Sequence, residues 1–191
     1  MMARASLREK IVDAALERFH VQGFNGCSVQ DITEAASAPK GSFYNHFKTK
    51  ELLALETLDR YNEDSKVSIL FEDDKPPLQR LRAHFEFLAA RAESWGFGRG
   101  CLIGNFGADM ADSYPAMRKA LAKVLLDWSD AVAIVLRQAQ AEGEISKDKD
   151  ADLMARFLVN AWQGATTRSR IDKNRAALDD FLTVAFDILL I

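Results

Sequence analysis

Cysteine, proline and glycine are all scarce in this 191-residue chain, at two, four and ten residues, and each shortage removes a class of protein. Two cysteines, Cys27 and Cys101, give no disulfide framework. With turn-forming residues few and alanine, leucine and charged residues plentiful, an all-α fold is favoured over a sandwich or a doubly wound sheet. No run of apolar residues is long enough to span a bilayer. Residues 1–10 carry charges throughout and lack the apolar stretch of a secretory signal, so the protein is expected in the cytoplasm. The three histidines, His20, His46 and His84, form no metal-ligand motif, and no cofactor is implied. Positive charge is not in surplus either: 25 basic against 28 acidic side chains leave a net charge of −3, which argues against a protein that coats nucleic acid indiscriminately.

The most informative shortage is local. Residues 1–60 carry 8 basic and 8 acidic side chains and residues 61–191 carry 17 and 20, yet between Ala35 and Lys50 there are three lysines and no acid. The stretch "PKGSFYNHFKTKE", Pro39 to Glu51, sets those lysines among Phe43, Tyr44, His46 and Phe47. Such a patch suits phosphate contact, because neutralising backbone charge and releasing counterions supplies most non-specific affinity for DNA. On charge alone a solvated basic face fits as well.

Helical periodicity supplies the context. Leu7, Ile11, Ala14, Ala15 and Phe19 recur at helical spacing before Gly23, which predicts a helix from Ser6 to Gln22. Ser28 with Asp31 reads as a capping pair for a short helix through Val29, Ile32 and Ala35. Pro39 suits the first position of a third helix, with Ala38 at its cap. Thr49 is placed to cap a fourth that carries Leu52, Leu53, Leu55 and Leu58. Two short helices joined by a tight turn, with a longer one on each side, make a helix-turn-helix unit. Beyond the acidic linker "FEDDKPP" the expected helices lie from Leu78 to Trp95, Cys101 to Ala111, after the reset at "DSYP" from Met117 to a close at Gly143, and in two final stripes around Leu153–Ala165 and Leu178–Leu189. The expected division is a helix-turn-helix domain over residues 1–60 and a larger helical domain over 61–191.

In a helix-turn-helix the second helix enters the major groove with its N-terminal residues near base edges. There Gly41 permits close approach at a helix-propensity cost of about 1 kcal/mol. Lys40 can reach a guanine edge and Ser42 can donate to base or phosphate. Ser28 sits where a phosphate can meet a helix N-terminus. Phe43 and Phe47, four apart, read as core, and Tyr44 either joins them or reaches phosphate. His46, taken alone, reads as a structural histidine.

These residues also carry a resemblance. The ungapped run from Ile11 through Leu53, with "GFNGCSVQDITEAA" feeding into "PKGSFYNHFKTKELL", resembles the DNA-binding domain of TetR-type transcriptional regulators. The segment "GCLIGNFGADMAD" is similar to the start of the ligand-binding domain in one branch of that family. One departure is Pro39, where many relatives have serine. The resemblance implies a regulator, most simply a repressor, that binds palindromic double-stranded operator DNA as a homodimer and is released by a small-molecule effector. It places Lys40 and Gly41 at bases, and Ser42, Tyr44, Asn45, His46 and Lys50 towards phosphates.

The final two helices support pairing independently: broad apolar stripes with Ala161, Gly164, Ala165, Ala177 and Ala185 let helices approach closely and complete a four-helix bundle across a two-fold axis. An effector needs an apolar cavity, for which Phe85, Leu88, Trp95, Phe106, Met110, Trp128 and Trp162 are candidate lining. Cys101 follows Arg99-Gly100 at an expected helix start, where a thiolate is favoured, so oxidant or electrophile sensing is an alternative. A cysteine-dependent enzyme using His84 as base is a further one, although no third orienting residue is evident.

Overall fold

The computed structural model describes residues 6–72 and 74–191. The first five residues of the charged N-terminus and Asp73 of the acidic linker lie outside it. Every regular element among the described residues is helical, and they form two compact units.

The smaller unit runs up to Asp64 and takes in Leu102–Leu121 from far along the chain. Its first helix, α1, spans Leu7–Gln22 and opens on a capping box: the Ser6 hydroxyl accepts from the Glu9 N–H at 3.2 Å, and the Glu9 carboxylate accepts from the Ser6 N–H at 2.7 Å. Helix α2, Val29–Ala35, opens the same way on Ser28 and Asp31. Helix α3 is a single turn, Lys40–Phe43, and α4 spans Lys50–Asp64 with the Thr49 hydroxyl accepting from the Leu52 N–H at 3.2 Å. Ile11, Ala15 and Phe19 of α1 meet Ile32, Phe43, Leu53 and Leu58 in one buried core, each large side chain contributing about 1.5–3 kcal/mol by leaving water. Leu52, expected in the apolar stripe of α4, is instead 47% exposed. The capping position fixes its direction: with Thr49 at the cap, Leu53 and Leu58 take the inward face.

From beyond residue 100, α6 (Leu102–Met110) and the start of α7 (Pro115–Glu142) complete this unit. Phe106 stands edge-on to Phe19 at 5.7 Å, and Tyr114 edge-on to Phe24 at 5.1 Å.

The larger unit holds a 3-10 segment, Val67–Phe71, and α5 (Pro77–Ser94). With them are the rest of α7, α8 (Ala151–Asp172) and α9 (Ala176–Val184), which ends in a π-helical turn, Ala185–Leu189. Asp150 caps α8 by accepting from the Asp152 and Leu153 N–H groups, both at 3.0 Å. The core is a ring cluster in which Phe85 lies 4.8 Å from Phe181, 5.3 Å from Trp162 and 6.1 Å from Trp128. His84 is buried with them: its Nε2 accepts the Trp128 indole N–H at 3.1 Å, which leaves the neutral ring's proton on Nδ1. Among the described residues Nδ1 has no hydrogen-bond partner. Burial pushes the His84 pKa down to about 4.

Candidate nucleic-acid interface

Ser28 starts the site. It is exposed, its hydroxyl accepts the Asp31 N–H at 3.1 Å, and its own N–H donates to the Asp31 carboxylate at 2.7 Å. Hydrogen bonding to the carboxylate, from the Ser28 side chain first and from its backbone N–H second, holds the Asp31 carboxyl below its ordinary range. Helix α2 closes at Ala36, and the chain turns through Ser37 at φ 52. The cap of α3 is Pro39 rather than the expected Ala38, so proline stands one place earlier than the first helical position. Its φ of −59 and ψ of 138 suit a cap, and with no side-chain donor or acceptor there, the Ser42 hydroxyl donates to the Pro39 carbonyl at 2.6 Å.

The tip divides cleanly into anchors and free groups. Phe43 and Phe47 are buried with ring centres 5.8 Å apart. Lys40, Gly41, Asn45 and His46 are exposed, Ser42 is half-buried, and Tyr44 keeps 60% of its surface in solvent although its ring rests edge-on against Phe43 at 5.1 Å. A Cβ on Gly41 would meet nothing within 4 Å, so internal packing does not require a glycine there. This surface can present an ammonium, hydroxyls, an amide and an imidazole to a polyanion without a carboxylate among them.

Lys50 is turned inward. Its Nζ donates to the carbonyls of Phe24 at 2.8 Å and Cys27 at 2.7 Å, and lies 4.1 Å from the Phe24 ring centre. Burial lowers its pKa from the usual lysine range. Two carbonyls and a ring face offer this ammonium fixed partners within its own domain, and it thereby shapes the turn that leads into Ser28. Burial likewise raises the Cys27 thiol.

The candidate effector residues fall in both units. Phe85, Leu88, Trp95, Cys101, Trp128 and Trp162 belong to the larger one, whereas Phe106 and Met110 are fully buried in the smaller. The guanidinium groups of Arg91 and Arg99 lie 5.2 and 5.1 Å from the Trp95 ring. Cys101 immediately precedes α6 and is 8% exposed, its Sγ accepting from the Gln163 amide at 3.4 Å. Cys101 and His84 are therefore each engaged with another partner, Gln163 and Trp128.

These elements define a helix-turn-helix DNA-binding protein with an appended helical unit. Residues 11–57 match the model of bacterial regulatory proteins of the tetR family, and residues 77–185 match the tetracyclin repressor-like C-terminal domain. The chain is 38% identical over 192 residues to the HTH-type transcriptional repressor DhaR of Mycobacterium sp. strain GP1, covering 99% of this chain and 95% of that protein. It is 34% identical to the transcriptional regulator AcuR of Cereibacter sphaeroides, over 91% of this chain and 80% of AcuR. The crystal structure of a regulatory protein TetR from Rhodobacter sphaeroides superposes with a TM-score of 0.89 at 32% identity, covering 94% and 97% of the two chains. Reduced Escherichia coli NemR shares the fold, with a TM-score of 0.85 at 22% identity over 95% and 96%. The chain belongs to the TetR family of DNA-binding transcriptional regulators, and not to a family of enzymes. No helix among the described residues is long and apolar enough to cross a membrane.

Proposed function

We propose that this chain is a ligand-released repressor acting in the cytoplasm, binding a palindromic operator as a homodimer. Residues 1–60 read DNA, and residues 61–191 take the effector and pair. The observation that carries the reading is the acid-free tip, in which Phe43 and Phe47 are sunk in the core while Lys40, Gly41 and Tyr44 stand in solvent. Lys40 and Gly41 address bases. Ser28, Ser42, Tyr44, Asn45 and His46 address phosphates, and Lys50 acts behind them by holding the turn before Ser28.

Lys40→Ala tests this. A lysine on a base edge is worth about 1–3 kcal/mol of discrimination, so the variant should lose about tenfold or more on its preferred duplex and much less on random DNA. Equal losses on both would make Lys40 a phosphate contact, and no loss on either would remove α3 from the DNA face.

Pairing is supported by the surface of α8 and the last helix. Leu153, Phe157 and Ile171 of α8 and Val184 and Ile188 beyond it are exposed, and a groove of about 240 Å³ lined by Phe157, Ala161, Ala165, Ala177 and Val184 separates the two helices. Gly164, with open space where a Cβ would stand, lets a second helix come close. Two readers set about 34–36 Å apart, or at multiples of that spacing, fit half-sites on one face of the duplex.

Release follows if an effector in the larger unit favours a dimer whose tips are wrongly spaced; about 1.4 kcal/mol of differential binding weakens the operator tenfold. Repression is in keeping with DhaR, itself a transcriptional repressor. Cys101→Ser separates ligand release from thiol sensing. A ligand-released repressor keeps its response to effector in this variant, whereas loss of release by oxidants or electrophiles would shift the reading to Cys101.

A further inference from the structure

The turn that carries the chain into Ser28 is gripped from outside the helix-turn-helix. Gly23 ends α1 at φ +77, in the left-handed region that favours glycine. The next N–H, that of Phe24, donates to the Asp109 carboxylate of α6 at 2.7 Å. The Asp109 backbone carbonyl also accepts from the Asn25 side chain at 3.2 Å, and Asn105, one turn earlier, donates to the His20 carbonyl at 3.4 Å. The approach leaves no room: a Cβ on Gly23 would stand 2.5 Å from Asp109 Oδ2. On the carbonyl side Lys50 holds Phe24 and Cys27. Phe24 thus has its N–H on an anion, its C=O on a cation, and its ring against both that cation and Tyr114.

We propose that Asp109 is a positioning residue for DNA recognition: through the Phe24 N–H it fixes the turn that sets where Ser28, and beyond α2 the Lys40 tip, stand against the duplex. This rests on α2 and α3 being the reading pair. A charged acceptor is the right group there, because an N–H bonded to a carboxylate is shorter and stronger than one bonded to a neutral oxygen. Base contacts need placement within a fraction of an ångström, whereas phosphate attraction decays over about 10 Å, so a loosened turn harms specific binding more than general attraction.

The specific probe is a duplex selected by the unaltered chain from a random-sequence pool, and the control is a scrambled duplex of the same composition. Asp109→Ala is expected to weaken the selected duplex about tenfold and to leave the scrambled duplex within about twofold, with the salt slope unchanged. Asp109→Asn, whose carboxamide oxygen accepts the same N–H, should recover most of the loss. Gly23→Ala expels the carboxylate with the side chain still present, at the added cost of a strained φ, and its losses on the two duplexes are compared if Asp109→Ala does not fold. Because the two substitutions break one contact, adding Asp109→Ala to Gly23→Ala should cause little further loss. The proposal is overturned by equal losses on both duplexes, by a folded Asp109→Ala that binds as the unaltered chain does, by full additivity with Gly23→Ala, or by a lone Gly23→Ala that spares the selected duplex. Lys40→Ala run alongside keeps the two readings apart: an intact preference there overturns α3 as the reader, while failure at Asp109 alone leaves that reading standing.

Discussion

Phe157→Glu should give a folded chain that sediments as a monomer and binds its selected duplex more than about a hundredfold less tightly, the loss expected when two linked readers become independent. Phe157 is 52% exposed in the single chain, in line with Leu153 and Ile171 on α8 and beside the groove lined by Val184 and Ala177. Its replacement therefore removes little from the chain's own core, and surface changes of this kind shift stability by about 0.5 kcal/mol at most. In a symmetric pair each substitution appears twice, so a carboxylate enters the seam from both sides as an apolar contact is lost. Sedimentation velocity and a melting curve check the two halves of this expectation. A variant that still sediments as a dimer would place the pairing surface elsewhere on the molecule.

The second large effect concerns acid. Unfolded, His84 titrates near its ordinary value of 6.5; folded, burial beside Phe85 and Trp128 pushes it down to about 4. Between those two values the unfolded chain binds a proton that the folded chain refuses. The contribution is fully present above about pH 6.5 and is lost as the pH falls towards 4, amounting to about 3 kcal/mol across the window. His84→Gln keeps an acceptor for the Trp128 N–H but does not titrate. The difference in urea midpoints between the unaltered chain and His84→Gln should therefore narrow or reverse from pH 7 to pH 4. A constant difference across that range would mean that His84 is protonated without penalty in the folded state.

Much of the DNA-reading half was legible because its signals are local. Ser28 and Thr49 precede their helices at the spacing a cap requires, and each caps through its hydroxyl. Phe43 and Phe47 follow a helical interval and are buried together. The helix ends at Gly23 and Gly143 were marked by glycine, and both adopt positive φ. What sequence reasoning missed depends on partners remote in the chain. Lys50 looks like any basic residue beside an acid-free tip until the Phe24 and Cys27 carbonyls are seen around it. Asp109 is one polar position on a short apolar helix, and only the fold brings it to the turn at Gly23. The placement of α6 with the N-terminal helices was equally hidden, because Phe106 and Met110 have the same spacing whether they line a cavity or close a core. The candidate effector residues were chosen by ring size and periodicity, and neither distinguishes packing from binding.

Phe19 and Phe24 find their ring partners in Phe106 and Tyr114, which the ribosome delivers only after the intervening helices have emerged. A nascent chain or a proteolytic fragment stopping at Asp64 would hold every residue proposed to face DNA, yet keep one flank of its core wet. The half that reads the operator is in this sense finished late, and it cannot be excised with a single cut.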